Sequence, residues 1–267
     1  MTERWTIAIG GTRGSAPVTG AQYAAFGGDT VSVRVCAGGA VLYLDAGSGI
    51  LPLPEGARRA DVLIGHPHID HLCGLGVWPA LTAPENRIDF YMTPRAGLGC
   101  RAQLDRLYAP PLWPLRIGEL PAQTGFHDIA GDFALGGLSV RVTEGFHPGG
   151  VTHFRISDGV RSLVYAVDAE LTEESAARLA AFARGCDLLI CDGQFTREEL
   201  AEKRGWGHSS MVQAAELGKA AGAGETILLH YLPRRTDAEL RALGERIAGI
   251  NGDVILSGQD DRMAFTG

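Results

Sequence analysis

The chain has 267 residues, 45% of them hydrophobic and 21% charged, with a net charge of −7. That length suits one large domain, expected over residues 1–267, with the composition of a globular protein in water. The acidic total argues against a broad nucleic-acid-binding face, and no apolar run approaches the roughly 18 residues of a membrane span.

The opening MTERWTIAIGG lacks the basic and long apolar regions of a signal peptide, so it reads as the approach to a first strand, 6–9, in a cytoplasmic protein. Cys36, Cys73, Cys100, Cys186 and Cys191 are scattered, with no Cys-x-x-Cys, and are expected to be reduced thiols that neither pair nor bind metal. Strands are expected at 30–36, 40–44, 61–64 and 88–92. The stretch LYAPPLWPLRIGELPAQ (107–123) holds too much proline for a regular helix. It is expected to be a substrate-covering loop, with Trp113 as a base-stacking residue. Strands resume at 138–143, 152–156 and 162–166. Helices at 172–184, 209–221 (capped by Ser209 or Ser210) and 237–248 then alternate with strands at 187–191, 226–230 and 253–256. Two sheets face to face with helices outside would bury this much apolar sequence.

The chemistry concentrates in ADVLIGHPHIDHLCGLG, residues 60–76, which holds three of the eight histidines within six positions. Pro67 keeps His66 extended, and in extended chain residues two apart face the same side, so His66 and His68 can meet on one ion. Asp70 suits the N-cap of a following helix, a change of period that sends Asp70 and His71 toward a neighbouring ion. Further ligands should sit at strand ends. His147 follows a strand in TEGFHPGG, Asp168 ends the apolar run of SLVYAVDAE, and His230 ends that of TILLHYLP. These are donor types suited to borderline divalent ions. His208, behind Gly207 at a helix start, can reach into a cleft. His127 and His153 are expected to be exposed or hydrogen-bonded, and Arg13 and Ser15 in GTRGS carry no assignment.

These motifs resemble the metallo-β-lactamase-fold hydrolases, in their phosphodiesterase and ribonuclease Z branch. His66, His68, Asp70 and His71 match the His-x-His-x-Asp-His signature. GGTRGSAPVTG, FGGDT, YLDAGSGI, HPGG, VYAVDAE, CDGQFTREEL, GWGHSS and LLHYLP resemble further blocks of the family, in order. Gly65, Asp29 and Tyr231 depart from it, where Thr or Ser, Asn, and a second His are usual. The resemblance implies an α/β (α+β) fold, a four-layer αββα sandwich with metals at one edge. It further implies His66, His68 and His147 on one ion, Asp70, His71 and His230 on the other, and Asp168 bridging.

Two divalent ions are therefore expected, zinc first, with manganese or iron as alternatives. Such a pair can hold a hydroxide and clamp both oxygens of a displaced group. The two dications outweigh Asp70, Asp168 and one hydroxide, so the cleft attracts an anion. The expected activity is hydrolysis of a small phosphodiester such as a cyclic nucleotide, with Asp70 and His208 as candidate catalytic residues. A thioester hydrolase of the glyoxalase II type is the alternative, and a non-catalytic metal-bound sensor another. The bridging Asp168 speaks against a β-lactamase, and His68 against the di-iron members, which place Glu there. With no basic arm to grip tRNA, no stable nucleic-acid partner and no membrane are expected. A homodimer is an assembly the reading allows.

Overall fold

The computed structural model describes residues 5–265. Two seven-stranded sheets face each other. The first contains β1 (Trp5–Gly11), β2 (Ser32–Ala37), β3 (Ala40–Leu44), β4 (Arg59–Leu63), β5 (Arg87–Met92) and β6 (Gln123–Asp128), with β14 (Arg262–Phe265) beyond β1. The second contains β7 (Phe133–Leu135), β8 (Leu138–Gly145), β9 (Val151–Ser157), β10 (Ser162–Ala166), β11 (Leu188–Asp192), β12 (Glu225–Leu229) and β13 (Val254–Leu256). Each sheet is antiparallel on one side and parallel on the other, β3 through β6 and β10 through β13 being the parallel runs.

Those parallel strands are covered on both faces, which is why VLYL, LVYA, LLIC and ILL are unbroken apolar runs. Between the sheets lies one core, including Val33, Leu44, Leu63, Phe154, Tyr165, Ile190 and Leu229. A second cluster covers the outside of the first sheet, where α1 (Cys100–Leu107) and the 107–123 segment pack. A third lies under α2 (Glu173–Ala183), α4 (Met211–Ala221) and α5 (Asp237–Ala248), with the short α3 (Arg197–Glu202) between α2 and α4 in sequence. The result is the expected four-layer αββα sandwich. Among the described residues no helix is long and apolar enough to cross a membrane.

Helix starts follow their sequence signals. Thr172, Ser210 and Thr236 each accept a hydrogen bond through the side chain from the amide of the helix's third residue, and each donates its own amide back to that residue's side chain. One expected start is corrected. Asp70 does not cap an α-helix; residues Ile69–His71 form a single 3₁₀ turn, followed by further short turns at Leu75–Val77 and Pro79–Thr82. The chain here is pressed against the loop after β3. A side chain on Gly74 would sit 2.0 Å from the Gly47 carbonyl. Trp113 is also corrected. Its half-buried ring lies against Gly76 and edge-on to Tyr108, beside the second cluster, and is not among the residues lining the cavities at His68. His127 stays on the surface, bonded to Asp89 at 2.9 Å, whereas His153 is buried within β9.

The topology brings six strand exits to one edge. β3 leads into Asp45, β4 into His66, β8 into His147, β10 into Asp168, β11 ends on Asp192, and β12 leads into His230. Asp45, Asp168 and His230 leave their strands with φ of 58°, 59° and 62°. That left-handed conformation costs a non-glycine residue about 1–2 kcal/mol and swings the side chain over the sheet edge.

Candidate metal centre

All seven candidate ligands and His208 meet at this edge. Their donor atoms fall into overlapping groups: His66, His68, His147 and Asp168; then Asp70, His71 and His230; then Asp168, Asp192, His208 and His230. In the first group, His147 Nε2 is 3.0 Å from His68 Nδ1, and Asp168 Oδ2 is 3.2 Å from His66 Nε2. In the second, Asp70 Oδ2 lies 3.4 Å from His71 Nε2 and 3.1 Å from His230 Nε2. Tetrahedral coordination with bonds of about 2.0–2.1 Å sets donors about 3.3 Å apart, so both groups have the dimensions of a divalent-ion site.

Asp168 stands between them. Oδ2 is 3.1 Å from His71 Nε2 and 3.6 Å from His147 Nε2, while Oδ1 is 3.0 Å from His230 Nε2. Several of these buried atoms have no hydrogen-bond partner: both ring nitrogens of His66, His71 Nε2 and Asp168 Oδ1. Orphaned buried donors and acceptors are costly, and a bound cation satisfies such a set at once. At three of the ligands protonation favours the same use, whereas at His71 burial is outweighed by Asp45, Asp168 and Asp70, which raise it. Burial lowers His66 to about 3, and His68 and His147 also fall, leaving neutral imidazoles with a lone pair to give. The neighbouring imidazoles hold Asp70 and Asp168 ionised against the cost of burial. The residues present fit divalent ions.

Around the donors lies a supporting layer. His71 gives its Nδ1 proton to Asp45 at 2.7 Å, and Asp45 also accepts from Tyr165 and the Gly65 amide. That fixes the tautomer that presents Nε2 inward. His147 is fixed likewise by the Gly207 carbonyl, 2.8 Å from Nδ1. The Ser15 amide donates to Asp70 Oδ2 at 2.6 Å, which brings GTRGS into the site. Arg13, by contrast, is wholly buried, donating to the Gly27 and Arg235 carbonyls. It ties the first loop to the last.

His208 belongs to the third of the donor groups, outside the two that the predicted ligands make up. Its Nδ1 is 2.7 Å from Asp192 Oδ2, and its ring stacks on His230 at 5.1 Å. With Nδ1 engaged, Nε2 is the atom left for the cleft that His208 lines with Asp70, Asp168 and His230. Asp45 and Asp192 carry no assignment from sequence alone. Each ends an apolar run, VLYLD and LLICD, the same signal that singles out Asp168.

A family model described as a beta-lactamase superfamily domain matches residues 43–231. A Ribonuclease Z of Bradyrhizobium sp. (strain ORS 278) is 26% identical over 264 residues, covering 78% of this chain and 85% of that protein. The probable metallo-hydrolase YhfI of Bacillus subtilis (strain 168) is 25% identical over 197 residues, 71% of this chain and 74% of that one. A crystal structure of YhfI superposes with a TM-score of 0.75 at 19% identity, covering 99% of this chain and all of the other. A diphosphatase of the PhnP family superposes with a TM-score of 0.70 at 16% identity, over 99% and 98% of the two chains. The chain belongs to the beta-lactamase superfamily and is a metal-dependent hydrolase of the metallo-β-lactamase fold.

Proposed function

We propose that the chain is a binuclear phosphodiesterase acting on a small phosphodiester such as a cyclic nucleotide. The observation that carries this is the Asp192–His208 pair, which lies outside the two donor groups proposed to hold the ions even though its atoms come close to Asp168 and His230. His66, His68 and His147 would hold one ion, Asp70, His71 and His230 the other, and Asp168 both, with zinc suiting the donors. Ions bound there would supply Lewis acidity and a nucleophile formed from water.

What the chain itself adds is a placed proton. Burial alone would drive the proton from His208, but the Asp192 carboxylate outweighs it and raises the imidazolium to about 9. Within the protein's own charges, the pair with Asp192 favours a proton on the imidazole. An alkoxide is a poor leaving group, and a proton delivered from His208 Nε2 to its oxygen removes that barrier. A thiolate leaves without such help, so a thioesterase has no use for the pair, and a sensor has less. The relatives named ribonuclease Z act on RNA by their name; the net charge of −7 here favours a small anion over a long polyanion.

The test is elemental analysis joined to a substrate panel. Protein purified without chelator should hold close to two equivalents of metal, and Asp168→Ala should lose most of both. The intact protein should hydrolyse an alkyl phosphodiester faster than a thioester or a β-lactam. One equivalent, or a thioester turned over best, sinks the reading.

A further inference from the structure

Two cavities meet at His68. One, of about 300 Å³, is the polar cleft containing Asp70, Asp168, His208 and His230. The other, of about 360 Å³, lies on the far side of His66 and His68, with walls that include Leu72, Leu98, Leu107 and Pro148. Apolar cavities of this size with a few polar groups are typical receptacles for small organic groups.

Two polar groups on its wall, Gln103 and Arg106, have capacity left, while Arg95 there is paired with Glu144. Gln103 is buried, and its Nε2 donates to the Thr93 and Leu98 carbonyls, but Oε1 has no partner. Arg106 is exposed and has no carboxylate partner among the described residues. Its neighbours do: Arg95 binds Glu144 at 2.7 Å, and Arg101 and Arg116 both approach Asp105. A free guanidinium at the rim of an apolar cavity is a site for the outer end of an amphipathic ligand.

We propose that this second cavity takes the substituent that stays on phosphorus, an apolar aryl or branched alkyl group whose outer end carries an anion facing Arg106. The inference rests on the phosphodiesterase reading and narrows it to open-chain diesters, because in a cyclic diester both ester oxygens stay on one sugar. His208 lines the polar cleft and not the apolar cavity, so the alcohol that receives its proton departs on the His208 side. The other ester substituent then lies past His68. Water's oxygen bonds to phosphorus and the bond to the departing oxygen breaks; His208 gives its proton to that oxygen, and the proton lost by the water restores the imidazolium. The product is the phosphate monoester of the alcohol held in the cavity.

The experiment compares three p-nitrophenyl phosphodiesters whose second substituent is methyl, phenyl or 4-carboxyphenyl, each corrected for its uncatalysed rate. The metal-loaded protein should prefer phenyl to methyl by about 10- to 100-fold in kcat/KM, the value of burying one ring-sized group. The carboxylate should add a further factor of about 2–5. Leu98→Trp and, independently, Leu107→Trp fill the cavity and should bring the phenyl-to-methyl ratio near one. Arg106→Gln should abolish the carboxylate advantage and retain the phenyl preference. No phenyl preference in the unmodified protein, or one that survives in both folded Trp variants, overturns the assignment. Equal losses on all three esters in Arg106→Gln remove the anionic end from it. If no diester is turned over at all, the phosphodiesterase reading falls and the inference with it.

Discussion

Asp45→Asn tests how far the supporting layer sets metal affinity. Asp45 is 1% exposed, and its two oxygens receive three donors, from His71 Nδ1, the Tyr165 hydroxyl and the Gly65 amide. Asparagine keeps the shape and tolerates the left-handed backbone at φ 58°. One of its two terminal atoms, however, is an amine. If that amine takes the Oδ2 place it opposes two donors, and if it takes the Oδ1 place it opposes the Gly65 amide. Either way a buried donor loses its acceptor, and His71 loses the charge that holds its proton on Nδ1. Leaving one buried group unsatisfied costs about 1–3 kcal/mol. At 1.4 kcal/mol per factor of ten, that converts to roughly 10- to 100-fold in metal affinity, the range found for groups that orient ligands. In the proposed ligand set His71 belongs to one ion only, so the loss should fall on one of two bound equivalents. Competition against a chromogenic chelator reads the two affinities separately. Unchanged affinities in a folded Asp45→Asn protein would refute the reasoning; equal weakening of both would show that Asp45 acts on Asp168 or on the whole edge.

Gly14→Ala should remove metal from the site served by His230, because a Cβ there would lie 2.3 Å from that ring; elemental analysis of folded protein decides it. His153 is buried, and burial lowers it to about 4, below the ordinary 6.5. The unfolded chain therefore takes up this proton first as pH falls. The stability held by neutral His153 is complete above pH 6.5 and lost toward pH 4. In chelated protein, His153→Leu should reduce the pH 7 to pH 4.5 difference in unfolding free energy by on the order of 2–3 kcal/mol, read from urea titrations. Cys73 sits beside Thr30, with its sulfur 3.4 Å from that hydroxyl. Cys73→Ser should keep full metal content, and a collapse without unfolding would expose a missed ligand.

Much of this arrangement is legible in the sequence because parallel strands buried on both faces leave unbroken apolar runs, and a polar residue ending such a run must face the open edge. That rule locates Asp168 and His230, and it reaches Asp45 and Asp192 once applied to every run; His147 instead follows an alternating antiparallel strand and is marked by the Pro and Gly behind it. Other features lack a local signal. Helix α1 begins at Gly99 with no side-chain cap; its first amide is met by Asp128 from another strand, a contact that sequence does not carry. The turns after His71 follow from the pressure of the loop after β3 on Gly74, which outweighs the helical content of the segment. Strand β7 spans three residues, too short for its period to stand out. The burial of His153 depends on the helical layer over β9.

The central claim is that His208 delivers a proton to the leaving oxygen, and the dependence of its loss on the leaving group tests it most directly. His208→Ala, with both metals retained, should lose about 10²–10⁴ in rate on an alkyl phosphodiester. On a nitrophenyl diester, whose phenolate needs little protonation, the loss should be far smaller. Equal losses on both would contradict the account and make His208 a binding residue, and no loss on either would leave the Asp192–His208 pair without a catalytic part.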